Sequence, residues 1–282
     1  MRKGISAVLV MCNEEKVIGR CLESLKDVVD EIIAVHDGPC IDDTLKICKK
    51  YTKKIFIRPK KGMCEYHQNF LYNQAKYDWI LKIDPDEFLS ENLRKNLRKL
   101  IEIKKISAIS FLSPIWDGEK YATKRWPRKI LLYKKSDISF IGFPNWAEPK
   151  INGNVLDTNF HLEHRPLSRF VLDWKTFKDY TLKGKIVKNQ ARATLKNFND
   201  FEKFQYHLDD FPLQIRIRKK FPLISAPFFS VLAPLLNLYN HKIWKREMRK
   251  DSRNIVKDAL FGFPYYLYLG YYIHQLKKGY KI

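Results

Sequence analysis

Apolar positions in the first third of the chain alternate between two periods. Ile5 to Met11 is a continuous apolar run of strand length. Val17, Ile18, Cys21, Leu22 and Leu25 then recur at helical spacing, after an Asn13-Glu14-Glu15 segment that reads as a helix start. Glu31 to Val35 reads as a second strand ending at Asp37-Gly38, and Asp42 or Asp43 is placed to cap a helix carrying Leu45, Ile47 and Cys48. Lys54–Arg58 is a shorter third strand. A helix over about Glu65–Lys76 follows, then the strand Trp79–Ile83. This β-α-β-α-β-α-β alternation predicts a parallel, doubly wound α/β sheet with ligands outside the carboxyl ends of its strands.

Beyond residue 90 the pattern changes. Ser90 is placed to cap a helix with Leu93, Leu97, Leu100 and Ile101 on one face. Short strands follow near 108–112, 129–133 and 138–143, punctuated by Pro114, Gly118, Pro127 and Pro144. They predict a mixed second half of the sheet.

Polar clusters fall where the alternation places ligands. Asn13-Glu14-Glu15, Asp37 and Asp84-Pro85-Asp86-Glu87 each follow a predicted strand. The last puts three carboxylates within four residues at the end of an apolar strand. Their repulsion at a partly dry site calls for a positive charge, and hard oxygen ligands suit Mg²⁺ or Mn²⁺ completed by substrate phosphates.

Composition narrows the class. The 282 residues, 45% hydrophobic, suffice for one large domain or for a domain with an appendage. The net charge of +22 admits nucleic acid, an anionic membrane or anionic substrates as partners. Cys12, Cys21, Cys40, Cys48 and Cys64 form no CxxC pair or zinc spacing, which fits free thiols in a reducing compartment. Met1-Arg2-Lys3-Gly4 precedes only one strand's worth of apolar residues, so no signal peptide is expected.

Several stretches together resemble glycosyltransferase family 2, the inverting nucleotide-sugar transferases of GT-A fold. They are Val8-Leu9-Val10-Met11-Cys12-Asn13-Glu14-Glu15, Cys21-Leu22-Glu23-Ser24-Leu25, Val29 to Val35, Asp37-Gly38-Pro39-Cys40-Ile41-Asp42-Asp43-Thr44, Gln68-Asn69-Phe70 and Trp79 to Glu87. The chain looks most like the branch acting on lipopolysaccharide cores and lipid-linked glycans. Pro39-Cys40 departs from the family's usual Gly-Ser.

The resemblance implies Mn²⁺ or Mg²⁺ as cofactor and a donor site drawing on Met11, Asn13, Glu15, Asp37, Gln68 and Asp84. It implies Asp84, Asp86 and His164 at the metal. Arg128 or Lys129 would face the diphosphate, in place of an Arg that related proteins carry at the position of Leu131. Glu148 is the implied base, with Asp117 the alternative, and Lys175 and Tyr180 match family positions. Plainer roles stand beside these. Asp37 also fits a turn aspartate, Glu15 a first-turn helix acid and Glu148 a surface ion pair.

The tail carries its own pattern. Phe221–His241 and Ala259–Leu276 hold no Lys, Arg, Asp or Glu, and both contain Pro or Gly breaks. Arg216, Arg218, Lys219 and Lys220 precede the first run, Lys242 to Lys250 contain five cations after it, and Lys277, Lys278 and Lys281 follow the second. Broken runs lying in an interface keep every basic cluster on one face, with Trp244 and the tyrosines at 265–272 at its depth. The expected organisation is a GT-A catalytic domain over 1–205 and a basic, aromatic-rich helical region over 206–282. The latter would sit peripherally on the cytoplasmic face of the cell membrane, near a glycan or lipid-linked acceptor. A packed helical subdomain and a re-entrant hairpin are the alternatives. A nucleic-acid-binding protein leaves the strand-end carboxylates without a purpose and shows no recognition motif, so no nucleic acid is expected. A sugar-phosphate nucleotidyltransferase lacks its Gly-rich loop, for which this chain has Met11-Cys12-Asn13-Glu14.

Overall fold

Ten residues, Arg2–Met11, form β1, and its run from Ile5 to Leu9 is buried at every position. A computed structural model of the chain describes residues 2–114, 116, 119–121, 126, 128–144, 148–167, 178, 185–205, 213–244 and 252–282. On β1, Ile5, Ala7, Leu9 and Met11 face the helices α1 (Ile18–Leu25) and α4 (Glu91–Leu100). Val8 faces α3 (Glu65–Gln74) on the other side. Cover on both faces is why the strand reads as an unbroken apolar run.

The chain divides into two compact units. In the first, β2 (Glu31–Asp37) and β4 (Tyr77–Lys82) flank β1 in parallel, and β3 (Lys54–Arg58) pairs parallel with β2. The sheet continues through β7 (Arg128–Lys134), β6 (Ala108–Leu112), β10 (Val155–His164) and β5 (Glu87–Leu89), giving the order β3-β2-β1-β4-β7-β6-β10-β5. β7 runs antiparallel between β4 and β6, as the mixed second half predicted. A smaller antiparallel sheet holds β8 (Ile138–Ile141), β9 (Lys150–Ile151) and β11 (Lys203–Phe204).

Local expectations fared unevenly. Ser90 caps α4 through Leu93 N–H at 3.3 Å. The first helix starts at Ile18 instead of Asn13, because Asn13 holds φ +57 and turns the chain out of helical geometry. Asp43 sits at the N-cap of α2 (Thr44–Cys48) without a side-chain capping bond, while Asp42 accepts from Thr44 N–H at 3.0 Å.

The second unit comprises Phe143–Asn145, Val171–Phe201 and His207–Ile282. Its described helices are α5 (Lys185–Leu195), α6 (Leu213–Lys220), α7 (Pro222–Trp244) and α8 (Ser252–Lys277). Val187 and Ala191 of α5 pack on Leu269 and Ile273 of α8, with Tyr265, Tyr266, Tyr268 and Tyr272 around them. These tyrosines are therefore packing groups, and Tyr271 is the exposed one among them. A Cβ at Gly270 would lie 2.3 Å from Ala226 Cβ and 2.7 Å from Pro222 O, so α7 and α8 approach closely there. Among the described residues no helix is long and apolar enough to cross a membrane.

Candidate active site

Strand order reverses between β1 and β4, and the polar groups gather where such sheets bind ligands, at the carboxyl ends of β1, β2 and β4. Beyond β1, Asn13 N–H donates to His36 Nε2 at 3.3 Å, and Asn13 Oδ1 accepts from Ile41 N–H at 3.0 Å. Glu14 N–H donates to Thr44 Oγ1 at 2.6 Å, and Glu15 Oε2 accepts from Asp43 N–H at 3.1 Å. The Asn13 and Glu15 side chains thus stitch the β1 turn to the 41–44 loop. Met11 is 1% exposed and part of the core.

Asp37 closes β2 and is buried. Its carboxylate accepts from Lys61 N–H (2.6 Å), Gly62 N–H (2.8 Å) and His67 Nε2 (2.8 Å). Burial alone would raise its pKa; the His67 bond and the two backbone donors outweigh this and hold it below the ordinary value. Through these bonds Asp37 organises its own loop. His36, fully buried, joins the same edge. Its Nδ1–H donates to Gly38 O at 2.7 Å, leaving Nε2 to accept from Asn13.

After β4 the chain delivers the acidic tetrapeptide. Asp84 N–H donates to Glu87 Oε2 at 3.0 Å, and Glu87 N–H to Asp84 O at 2.9 Å, a tight turn that folds Glu87 inward. Lys129 Nζ reaches from β7 to Asp84 Oδ2 (3.0 Å) and Glu87 Oε1 (2.7 Å). Burial pushes Glu87 upward and Asp84 adds to it, against Lys129. For Asp84, burial is outweighed by Lys129 and then Lys82, so the carboxyl lies below its ordinary value. Burial pulls Lys129 down, but the two carboxylates more than offset it and keep the ammonium charged.

His164, closing β10, places Nε2 at 3.2 Å from Asp86 Oδ2, and this bond raises the imidazole pKa against the effect of burial. Arg165 N–H donates to Asp86 O at 2.9 Å, tying the tetrapeptide to the end of β10. Strand pairing sets His164 opposite Glu87 and Glu163 opposite Phe88. His161 and Glu163 consequently share the other face, where Glu163 takes Arg165 (2.6 Å) and Tyr121 OH (2.7 Å).

The structure therefore brings Lys129 to Asp84 and Glu87, and His164 to Asp86. Arg128 alternates to the opposite face of β7, where it donates to Thr158 O and Asn159 Oδ1. Glu148 is solvent-exposed. Asp117, Lys175 and Tyr180 lie outside the described residues.

Four site groups, Glu14, His36, His67 and Lys82, escaped the sequence reading or were left without a role there. Glu14 is raised by burial and then by Asp86, Asp42 and Asp84, so its carboxyl belongs to the acidic site. His36 and His67 hold the strand-end loops. Lys82 is 5% exposed, and a lysine inside the run Trp79-Ile80-Leu81-Lys82-Ile83 was the available signal. Gln68 is buried beside Cys64, Lys82 and Asp84, and its Oε1 has no hydrogen-bond partner. That orphaned acceptor lies at the place expected for a donor-binding group.

Glu14 and Glu87, both raised first by burial and then by neighbouring carboxylates, stand beside Asp84 and Asp86, and these oxygens are the hard ligands that suit a divalent cation. Among the described residues no cluster of three or more His, Cys, Asp or Glu side chains is gathered to hold an ion by itself. Magnesium and manganese sites need only one or two carboxylates when substrate phosphates complete them, so the residues fit such an ion.

Comparison with known proteins identifies the family. The model of the family Glycosyl transferase family 2 matches residues 6–151. An uncharacterized glycosyltransferase of Rickettsia typhi is 36% identical over 95 residues, covering 34% of this chain and 32% of that protein. The SPbeta prophage-derived glycosyltransferase SunS of Bacillus subtilis is 30% identical over 198 residues, 68% of this chain and 43% of that protein. The chain thus spans about a third of the length of the first curated relatives it matches. Among solved structures, glucosyl-3-phosphoglycerate synthase from Mycobacterium tuberculosis in complex with Mg²⁺ and uridine diphosphate superimposes with a TM-score of 0.45 at 13% identity, over 72% of this chain and 87% of that one. With the family model covering just over half of its length, the chain belongs to glycosyl transferase family 2.

Proposed function

We propose that the protein transfers a sugar, with inversion, from a nucleotide-diphosphate donor to a hydroxyl of a glycan or lipid-linked acceptor. The observation that carries this reading is the Asp84–Lys129–Glu87 cluster beside Asp86–His164, at the carboxyl end of β4 next to the reversal in strand order. Asp86 and His164, with Asp84, are the residues that would hold Mn²⁺ or Mg²⁺. Such an ion supplies neutralisation of the diphosphate charge.

The chain's own groups have separate tasks. Gln68 and the Asp37 loop form the floor of the donor site, where Gln68 Oε1 offers an acceptor to the ligand. Lys129 is held charged and places a fixed cation beside the carboxylates, close to where the leaving group develops charge. The acceptor oxygen bonds to the anomeric carbon as the bond to the diphosphate oxygen breaks. The hydroxyl proton passes to Glu148, and the electron pair leaves with the diphosphate. The basic C-terminal region brings the enzyme to an anionic membrane surface on the cytoplasmic side.

Titration calorimetry with nucleoside diphosphates, with and without Mn²⁺, tests the donor and metal together. Metal-dependent binding of one nucleotide is expected. Asp86→Ala should lower transfer by on the order of 10²–10³-fold with an unchanged circular dichroism spectrum. Transfer at the parental rate by that variant would overturn the metal-site reading.

A further inference from the structure

An exposed apolar stripe runs along α6 and α7. Leu213 (65% exposed), Ile217 (37%), Phe221 (47%), Ile224 (74%), Phe228 (59%), Val231 (51%) and Leu235 (55%) are separated by three or four residues throughout. At 100° per residue all seven fall within an arc of roughly 80°, and the stripe is about 33 Å long. Helical bonding continues across the junction, since Phe221 N–H donates to Ile217 O at 2.8 Å and Ser225 N–H to Phe221 O at 2.9 Å. The opposite face is buried and carries Ile215, Arg218, Ser225, Ala226 and Ser230.

The rod is therefore inside out. Apart from Ile215, the side chains facing the protein are small or polar, while the large apolar ones of the stripe face away from it. In water such an arrangement exposes a contiguous apolar patch well beyond scattered surface hydrophobics. It becomes favourable when the surrounding medium is itself apolar.

We propose that this stripe is the surface that docks on an anionic lipid bilayer, with the rod lying in the plane of the interface. The proposal deepens the membrane part of the function above and rests on it. Charge complementarity selects this occupant. Beside the stripe, a cleft of about 460 Å³ has Phe221, Pro222, Leu223 and Ile224 as its apolar wall and His274, Lys277 and Lys278 along its rim. Lys277 Nζ donates to Lys219 O and Lys220 O, which gathers Lys219, Lys220, Lys277 and Lys278 beside the junction of α6 and α7, within the stripe's length. Apolar wall and cationic rim match an acyl chain and its phosphate. A second copy of the chain would bring the same cations against their own kind, at an electrostatic cost. The in-plane orientation follows from the stripe's length along one face and from the cations at the rim.

Flotation of the full chain with phosphatidylcholine vesicles, with and without phosphatidylglycerol, tests this. The protein should float with the anionic vesicles. The double variant Ile224→Asp/Phe228→Asp should lose at least about tenfold in partitioning, while remaining folded by circular dichroism because both positions are exposed. Lys277→Glu/Lys278→Glu should weaken partitioning to anionic vesicles alone. Nucleotide binding by calorimetry should be unchanged in both variants, which separates failure of the docking surface from failure of the transferase reading. Flotation of the Asp variant at the parental level, or indifference of the parent to both vesicles, would sink the proposal. So would a dimer in vesicle-free buffer that the Asp variant converts to monomer, which would assign the stripe to self-association.

Discussion

In the first unit the residues out of their ordinary place are polar ones inside; in the second they are apolar ones outside. Around the carboxyl ends of β1, β2 and β4, Asp37, His67, Gln68, Lys82 and Glu87 are all at most 5% exposed. Along α6 and α7, Ile224, Phe228 and Leu235 are more than half exposed, while Ser225 and Ser230 are buried beneath them. Burying charge costs several kcal/mol unless it is paired, and exposing large apolar groups to water forfeits roughly 1.5–3 kcal/mol per side chain. Both departures run against stability, and each coincides with a surface proposed to meet something other than water. The ligand proposed for the sheet unit is small and charged, and there the protein pre-assembles charge. The neighbour proposed for the helical unit is extended and apolar, and there the protein leaves an apolar face uncovered.

The contrast can be broken at its strongest point by Lys129→Met. Glu87, which is buried, and the partly exposed Asp84 then lose their shared cation, and the unfolding free energy should fall by about 3 kcal/mol, mostly through Glu87, read by denaturant titration. Adding Glu87→Gln should return most of that loss. If the single variant is as stable as the parent, the carboxylates are not electrostatically bound to Lys129. In the helical unit, Gly270→Ala sets a methyl 2.3 Å from Ala226 Cβ, and overpacking there should cost about 2 kcal/mol, seen as a lower thermal midpoint. An unchanged midpoint would mean the two helices separate at little expense.

The smallest effect concerns the loop at the head of α2. Burial tends to raise the pKa of Asp42, but bonds from Thr44, Glu15 and Cys40 win and hold it at about 2, below the usual 3.8. A depressed carboxyl stabilises the fold above its unfolded pKa, and that contribution disappears as pH falls towards about 2. Asp42→Ala should therefore move the acid-unfolding midpoint to higher pH and leave stability at alkaline pH with no further pH dependence relative to the parent. Parallel unfolding curves for the two proteins across the acid range would count against the assignment.

Legibility from sequence followed the range of the interaction. The apolar run of β1 and the helical spacing of α1 and α4 were readable because each element's burial is stamped on consecutive residues. The acidic tetrapeptide was readable for the same reason. Asp37 was readable as a position, but its partners His67, Lys61 and Gly62 lie 24 to 30 residues away, and only folding assigns its carboxylate to them. The choice between Arg128 and Lys129 is similar. Alternation along β7 requires adjacent side chains to point apart, yet sequence does not tell which of them faces the carboxylates.

The tail sharpens the distinction. Its composition alone fixed that apolar runs sit between basic clusters, because both properties are carried by adjacent residues. Which apolar groups would be covered was a tertiary matter. Tyr265, Tyr266, Tyr268 and Tyr272, whose character suits an interface, pack around α5 and α8, whereas Ile224 and Phe228, ordinary core residues by type, face outward. Periodicity states that a helix has an apolar face. What occupies that face depends on which other helix arrives, and at Gly270 and Ala226 the close approach of α8 takes the side that carries the small residues. Local sequence thus determined strands, helices and the acidic turn, while long-range packing decided which charge is buried and which apolar face stays open, because burial is a property of neighbours brought together only by the fold.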